Sequence, residues 1–316
     1  MLSGQVAVVT GASRGIGRGI ALQLGEAGAT VYITGRKPEK SENTRVGLST
    51  LEQTAEEITR RGGKGIAVFV DHAEMGEVKK LFERIDQENN GQLDILVNNA
   101  YQGVQVIFDH LGDKFYEMEP EVWDTINNVG LRNHYYCSVY AARLMAARKK
   151  GFIVNISSAG GIRYLFNVAY GVGKQAVDRM ATDMAVELKD QNVCVVSLWP
   201  GAVRTELLTR MISSEESRLD ETSSEMFSNG ETTEYAGKAV VAVAADRKRM
   251  EKSGKILIAC DMGDEYGFLD IDGSTPPNIR SVYYILKKFG WAKTASWVPK
   301  WVKLPGLAIW AGTNRF

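Results

Sequence analysis

Short runs of apolar and β-branched residues alternate with longer amphipathic stretches through about residue 260. The runs at 6–10, 30–34, 65–70, 95–98, 152–157, 194–199 and 256–259 predict strands. Apolar positions at helical spacing predict helices at 15–28, 51–62, 77–89 and 169–191. Strands that read as continuous apolar runs, separated by helices, imply a parallel sheet covered on both faces. The expected architecture is therefore α/β, one doubly wound sheet over residues 1–261. Ligands of such a sheet bind outside the carboxyl ends of its strands, so the chemistry is expected there.

Two segments interrupt the rhythm. Residues 38–49 are polar and read as an exposed insertion, and residues from about 206 to 233 read as a mobile lid of short helices over the site. From 262 to 316 the alternation stops, and tryptophans (Trp291, Trp297, Trp301, Trp310) interleave with lysines. Such a C-terminal extension suits a membrane interface, where indole rings sit at headgroup level. Covering the substrate cleft or a subunit contact would use the same residues. Pro299 and Pro305 interrupt any long helix, so a spanning segment is not expected.

The totals narrow the class. Lysine plus arginine and aspartate plus glutamate each number 38, giving a formal net charge of zero and no basic footprint for nucleic acid. Cys137, Cys194 and Cys260 are far apart, with neither metal-ligand spacing nor an even count, and read as core residues of a reducing compartment. The first residues run directly into a strand rather than a signal peptide, so the protein is expected on the cytoplasmic side of any membrane.

Chemistry begins at the end of the first strand, in Thr10-Gly11-Ala12-Ser13-Arg14-Gly15-Ile16-Gly17. Glycines between a strand and a helix let the backbone approach a pyrophosphate at the helix N-terminus, which points to a Rossmann-type dinucleotide site. After the second strand, an NAD site is expected to carry an acid for the ribose 2′-hydroxyl. Here Thr34-Gly35-Arg36-Lys37 stands instead, and Arg36, with Arg14 closing over it, suits a 2′-phosphate. NADPH/NADP+ is thus favoured over NADH/NAD+, although Arg36 and Lys37 would equally solvate a loop. Asp71 ends the third strand, where a carboxylate can accept from adenine, and Asn98 and Asn99 end the fourth. Each is equally readable as a turn residue.

Tyr170 and Lys174 lie four residues apart and would share a helix face. A nearby ammonium favours phenolate and is expected to bring the tyrosine toward a useful pKa. Ser158 ends the fifth strand, where its hydroxyl can polarise a substrate carbonyl beside that tyrosine.

Together these residues resemble the short-chain dehydrogenase/reductase family over about residues 4–261. The glycine motif resembles the family's cofactor turn, Tyr170-x3-Lys174 its catalytic motif, and Asn155-Ile156-Ser157-Ser158 its serine strand. In that pattern the second serine, Ser158, is the catalytic one. Leu198-Trp199-Pro200-Gly201-Ala202-Val203-Arg204-Thr205 is similar to the segment after the sixth strand. The resemblance implies that Tyr170 is the acid/base, that Lys174 lowers its pKa and holds the nicotinamide ribose, and that Ser158 orients the carbonyl. It further implies cofactor contacts from Gly11, Ser13, Arg14, Gly15, Ile16, Gly17, Arg36, Asp71, Asn98, Pro200 and Gly201. Val203 and Thr205 would meet the nicotinamide carboxamide.

Two departures stand out. The family's Asn-Asn-Ala-Gly is Asn98-Asn99-Ala100-Tyr101 here, and its helix asparagine is replaced in Asn128-Val129-Gly130-Leu131 by Gly130. A register shift to Asn127 or Asn128, or a bridging water, would be needed to complete the usual proton relay. These variants and the long tail most resemble the dehydrogenase/reductase member one subfamily. That implies an NADPH-linked reductase of lipophilic ketones, of the steroid or xenobiotic class, working as a homo-oligomer in the cytosol or peripherally at the endoplasmic reticulum. A catalytically silent dinucleotide binder and a membrane-surface scaffold are the competing readings.

Overall fold

The computed structural model describes residues 1–37, 48–212, 221–288, 290–299, 301–306 and 308. Most of the expected insertion at 38–49 and the centre of the expected lid lie outside the described residues, as does Trp310.

The first half of the chain alternates as expected: β1 (Val6–Val9), α1 (Gly15–Glu26), β2 (Thr30–Gly35), α2 (Leu51–Arg60), β3 (Lys64–Phe69), α3 (Met75–Glu88) and β4 (Ile95–Asn98). Three helices then intervene, α4 (Val104–Asp109), α5 (Glu121–Asn127) and α6 (Asn133–Ala147), before β5 (Gly151–Ile156) and the long α7 (Val168–Leu188). After β6 (Val193–Trp199) come the lid helices α8 (Glu206–Ile212) and α9 (Glu221–Ser228), then α10 (Tyr235–Ala245) and β7 (Ile256–Ile258). The last elements are α11 (Ala259–Tyr266), α12 (Val282–Lys288) and α13 (Ala292–Ala295).

All seven strands are parallel, in the order β3-β2-β1-β4-β5-β6-β7. The order reverses beside β1, so the connections leaving β1 and β4 run to opposite sides of the sheet and leave a crevice at the carboxyl ends. Alternate side chains of each strand serve opposite layers. Ala7 and Val9 pack with Ile20, Leu24, Ile58 and Val240 on one face, whereas Val6 and Val8 pack with Leu81, Cys137 and Ala181 on the other. The three cysteines are buried and unpaired, as expected of core residues.

Helix ends are built locally. Thr50 accepts from the Gln53 amide while the Gln53 side chain accepts from the Thr50 amide, a reciprocal capping box at the start of α2. Between α5 and α6 the chain makes a wide π-type turn over Asn128–Arg132, where Val129 and Gly130 leave helical geometry. The tail is clasped to α11 by charge: Asp261 accepts from Arg280 at 2.6 Å and from Lys303 at 2.8 Å. The expected boundary at 261 therefore falls inside α11. Trp297 and Trp301 are 88% and 78% exposed, so these two do not serve as a cover for the crevice. No helix among the described residues is long and apolar enough to cross a membrane.

Packing of α1 on the chain before α10 leaves no room at Gly19. A Cβ there would sit 2.0 Å from the Thr233 carbonyl oxygen, a backbone atom that cannot swing aside. Gly19→Ala is expected to lower stability by about 1–3 kcal/mol through forced separation of the two segments. Thermal unfolding checks this, and an unchanged Tm would disprove the backbone contact.

Candidate active site

The glycine turn is strapped to the end of β4. The Thr10 hydroxyl oxygen accepts from the amides of Asn99 and Ala100, and the Asn99 side chain donates to the Thr10 and Gly11 carbonyls at 2.9 and 3.0 Å. A Cβ at Gly11 would fall 2.7 Å from Ala100 Cα, so only glycine lets the turn lie this close. Gly15, at φ +58°, opens α1 and donates its amide to Glu206 Oε2 at 2.9 Å. A carboxylate oxygen on the first amide of a helix shows that this turn accepts an anion, the role a dinucleotide pyrophosphate requires.

A cavity of about 670 Å³ runs from this turn across the carboxyl ends of the strands. Among the expected cofactor residues, Gly11, Ser13, Arg14, Gly15, Ile16, Gly17, Arg36, Asp71, Tyr170, Lys174, Gly201, Val203 and Thr205 line it. Arg36 is exposed at the rim, with no acid at the end of β2. Asp71 lines the wall while its Oδ1 accepts from the Ala73 amide.

One expected contact is corrected. Asn98 does not reach the cavity with its side chain, which is fully buried behind the sheet and donates to Ser138 and Asn155 at 2.9 and 2.8 Å. Strand alternation is the reason: consecutive residues point to opposite sides, so Asn99 faces the glycine turn and Asn98 the core. Pro200, the residue after β6, is not among the lining residues, whereas the next residue, Gly201, is.

Asn167 accepts from the Tyr170 amide at 2.9 Å and so caps α7, placing Tyr170 in its first turn with Lys174 one turn below. Of the two serines after β5, Ser157 is the one that lines the cavity, and its hydroxyl donates to the Lys174 carbonyl at 3.1 Å. Ser158 instead accepts from the Gly160 amide and reaches the Tyr170 phenol, favouring its ionised form. The Lys174 ammonium is buried and donates to the Ile156 carbonyl at 3.1 Å. Burial brings it down to about 8, against the pull of Asp178. The expected lowering of the tyrosine is corrected as well: burial outweighs Ser158 and raises Tyr170 above the ordinary phenol value. Loss of hydration penalises an anion more than one neighbouring hydroxyl favours it.

Two contributors, Asp178 and Glu206, escaped the sequence reading, and two residues that it named, Asn99 and Tyr101, take roles that it did not give them. Asp178 continues the Tyr170–Lys174 face at the same spacing of four, a signal present in the sequence, and accepts from Ser197 and the Trp199 indole. Asn99 holds the turn, and Glu206 caps it. Tyr101 lines the cavity beside Tyr170, with ring centroids 6.2 Å apart. Val104, Ile107, Phe108, Phe166, Leu208 and Phe227 give the wall an apolar stretch, while Ser49, Thr50, His72 and Gln102 are polar residues elsewhere in the lining.

Comparison with known proteins agrees with this geometry. The short chain dehydrogenase family model matches residues 5–216. Mouse and human proteins named dehydrogenase/reductase SDR family member 1 are 47% and 48% identical, over 100% of this chain and 99% of each relative. An NADPH-dependent aldehyde reductase 2 of Arabidopsis thaliana chloroplasts is 33% identical over 68% of this chain and 78% of its own. A metagenomic short-chain oxidoreductase solved in complex with NADP superposes with a TM-score of 0.61, at 28% identity, over 81% of this chain and 97% of that one.

The lid closes on a buried carboxyl. Glu231 pairs by backbone with the segment after β6, its amide donating to Ala202 and its carbonyl accepting from Arg204. Its side chain is 1% exposed beneath Gly201, and burial, helped by nearby Asp270, pushes it up to about 8. An acid raised this way in the folded state keeps its proton at neutral pH, whereas the unfolded chain releases it. Stability from this site is full below about pH 4.5 and falls as pH rises toward about 8. Glu231→Gln, which cannot ionise, is expected to gain stability over the parent increasingly from pH 5 to pH 8. Calorimetry across that range checks it, and a difference independent of pH would contradict the buried neutral acid.

Proposed function

This chain belongs to the short-chain dehydrogenase family, and we propose that it is an NADP(H)-dependent reductase of lipophilic ketones acting through Ser158, Tyr170 and Lys174. The observation that carries this reading is one cavity lined by an anion-accepting glycine turn, by Tyr170 and Lys174 and by an apolar stretch of wall, with Ser158 hydrogen-bonded to the Tyr170 phenol. Among the relatives, the NADPH-dependent plant reductase and the NADP complex support the choice of cofactor.

When bound, the cofactor supplies hydride to the carbonyl carbon. The amides of the glycine turn would hold its pyrophosphate once Glu206 releases Gly15. Arg36 at the rim, with Arg14 along the wall, suits a 2′-phosphate through charge-assisted hydrogen bonds. Ser158 hydrogen-bonds the carbonyl oxygen, and Tyr170 passes its proton to that oxygen as the alcohol forms. Burial keeps the phenol protonated, which suits it as the acid of a reduction. The Lys174 ammonium beside it stabilises the phenolate left behind. Apolar groups such as Phe108, Phe166 and Phe227 would surround a hydrophobic ketone body and exclude water from the transfer.

The intact triad favours an enzyme over a silent dinucleotide binder, for which a buried ammonium would be a cost without return. Tyr170→Phe is expected to lower kcat at least about 100-fold while NADPH affinity stays near that of the parent. Ketone-dependent NADPH consumption and a fluorescence titration measure the two separately, and substantial remaining turnover would remove Tyr170 from the acid role. Arg36→Asp should reverse or erase the preference for NADPH over NADH, a change of roughly 10- to 100-fold in relative kcat/KM for loss of one charged hydrogen-bonding group. An unchanged ratio would mean that Arg36 does not read the 2′-phosphate.

A further inference from the structure

The chain departs from the family pattern at two places, Tyr101 for glycine and Gly130 for asparagine, and the fold brings those two residues into contact. A Cβ on Gly130 would stand 2.7 Å from Tyr101 Cδ2 and 3.0 Å from Cε2. The ring therefore fills the space that a side chain at 130 would enter. Gly130 sits at φ +155°, with its amide held by Asn133 Oδ1 at 2.7 Å, a backbone that side-chain-bearing residues seldom adopt. The Gln102 amide donates to the Val129 carbonyl at 3.1 Å, tying the loop after β4 to the π-type turn.

The neighbouring asparagines do not take over. Asn127 donates to the Ala169 carbonyl at 3.3 Å and lies against Gly173, where a Cβ would meet its Oδ1. Asn128 is exposed. What does reach the catalytic lysine is the tyrosine ring: Lys174 Nζ lies 4.9 Å from the Tyr101 ring centroid, nearer than its 5.8 Å to the Tyr170 ring. The Tyr101 hydroxyl is turned away toward Gly103 and is buried without a hydrogen-bond partner among the described residues.

We propose that Tyr101 is the positioning residue for Lys174, holding the ammonium against its ring by a cation–π contact, and that Tyr101 and Gly130 are one compensated exchange replacing the family's asparagine. The ring attracts a cation through its quadrupole and needs no water to do so. The proposal rests on the Ser158–Tyr170–Lys174 reading for its catalytic consequence, whereas the contact itself can be measured without turnover.

The groups facing Lys174 are Tyr170 and Asp178 on α7, His134 on α6 and Tyr101. His134 is buried and held neutral, down at about 3, so it adds no titration near that of the lysine. The test is the Lys174 titration, followed by NMR of protein carrying ¹³Cε-lysine and assigned by loss of the signal in Lys174→Met. Tyr101→Phe is expected to leave the titration and the alkaline limb of kcat in place. Tyr101→Leu should move both about half a unit to one unit lower, because a lost cation–π contact destabilises the charged form.

If Tyr101→Leu does not fold, 3,4,5-trifluorophenylalanine at position 101 keeps the ring's shape while withdrawing its electrons, and should shift the titration in the same direction. Titrations that coincide for parent, leucine and fluorinated variants would overturn the proposal, as would a Tyr101→Phe shift equal to that of leucine. If the lysine titrates as expected but no ketone is turned over even by the parent, the proposed reaction fails while the Tyr101 contact stands.

Discussion

The site is organised around an ammonium ion held away from water. Lys174 is covered by α7, β5 and the loop after β4, and burial alone favours its neutral form. Remaining charged requires partners that arrive from several elements: the Ile156 carbonyl at the end of β5, Asp178 one turn along α7, and the Tyr101 ring. Asp178 in turn is a buried carboxylate, made tolerable by Ser197 and Trp199 on β6. One buried charge thereby links two strands, a helix and a loop, and the phenol that would transfer the proton stands on the same helix face.

A second linkage joins the phosphate turn to the lid. The Gly15 amide, which opens α1, donates to Glu206, the first residue of α8. A bound pyrophosphate and this lid carboxylate would use the same donor, so occupation of the turn and the position of the lid are coupled by simple competition for an anion site. The far side of the lid is fixed differently, by backbone pairing of Glu231 with the segment after β6 and by Asp270 beneath Thr232. The lid is thus anchored firmly at its end and by a replaceable ionic contact at its start.

Much of this was legible in the chain itself. Every strand was readable to within a residue or two, because strands buried on both faces write continuous apolar runs. The glycine turn, Arg36 and the Tyr170–Lys174 pair were also readable, since each depends on spacing within one strand–turn–helix unit. The helix α6 was not, because Asn133, His134 and Ser138 are buried among its apolar residues and blur the stripe. Asp178 was overlooked despite its spacing, since an aspartate on a helix usually faces solvent.

What the sequence determined was local: where the chain reverses, which helix face carries the phenol and ammonium, and which strand ends carry polar groups. Tertiary structure decided how those groups share space. It turned Asn98 into the core and Asn99 to the turn, and it raised the Tyr170 phenol where the isolated pair suggested lowering. It also set Tyr101 in the room left by Gly130, 29 positions along the chain. The physical reason is that desolvation and steric exclusion belong to the assembled environment and have no local period, whereas helical spacing and strand alternation are properties of the backbone and are written in the order of residues.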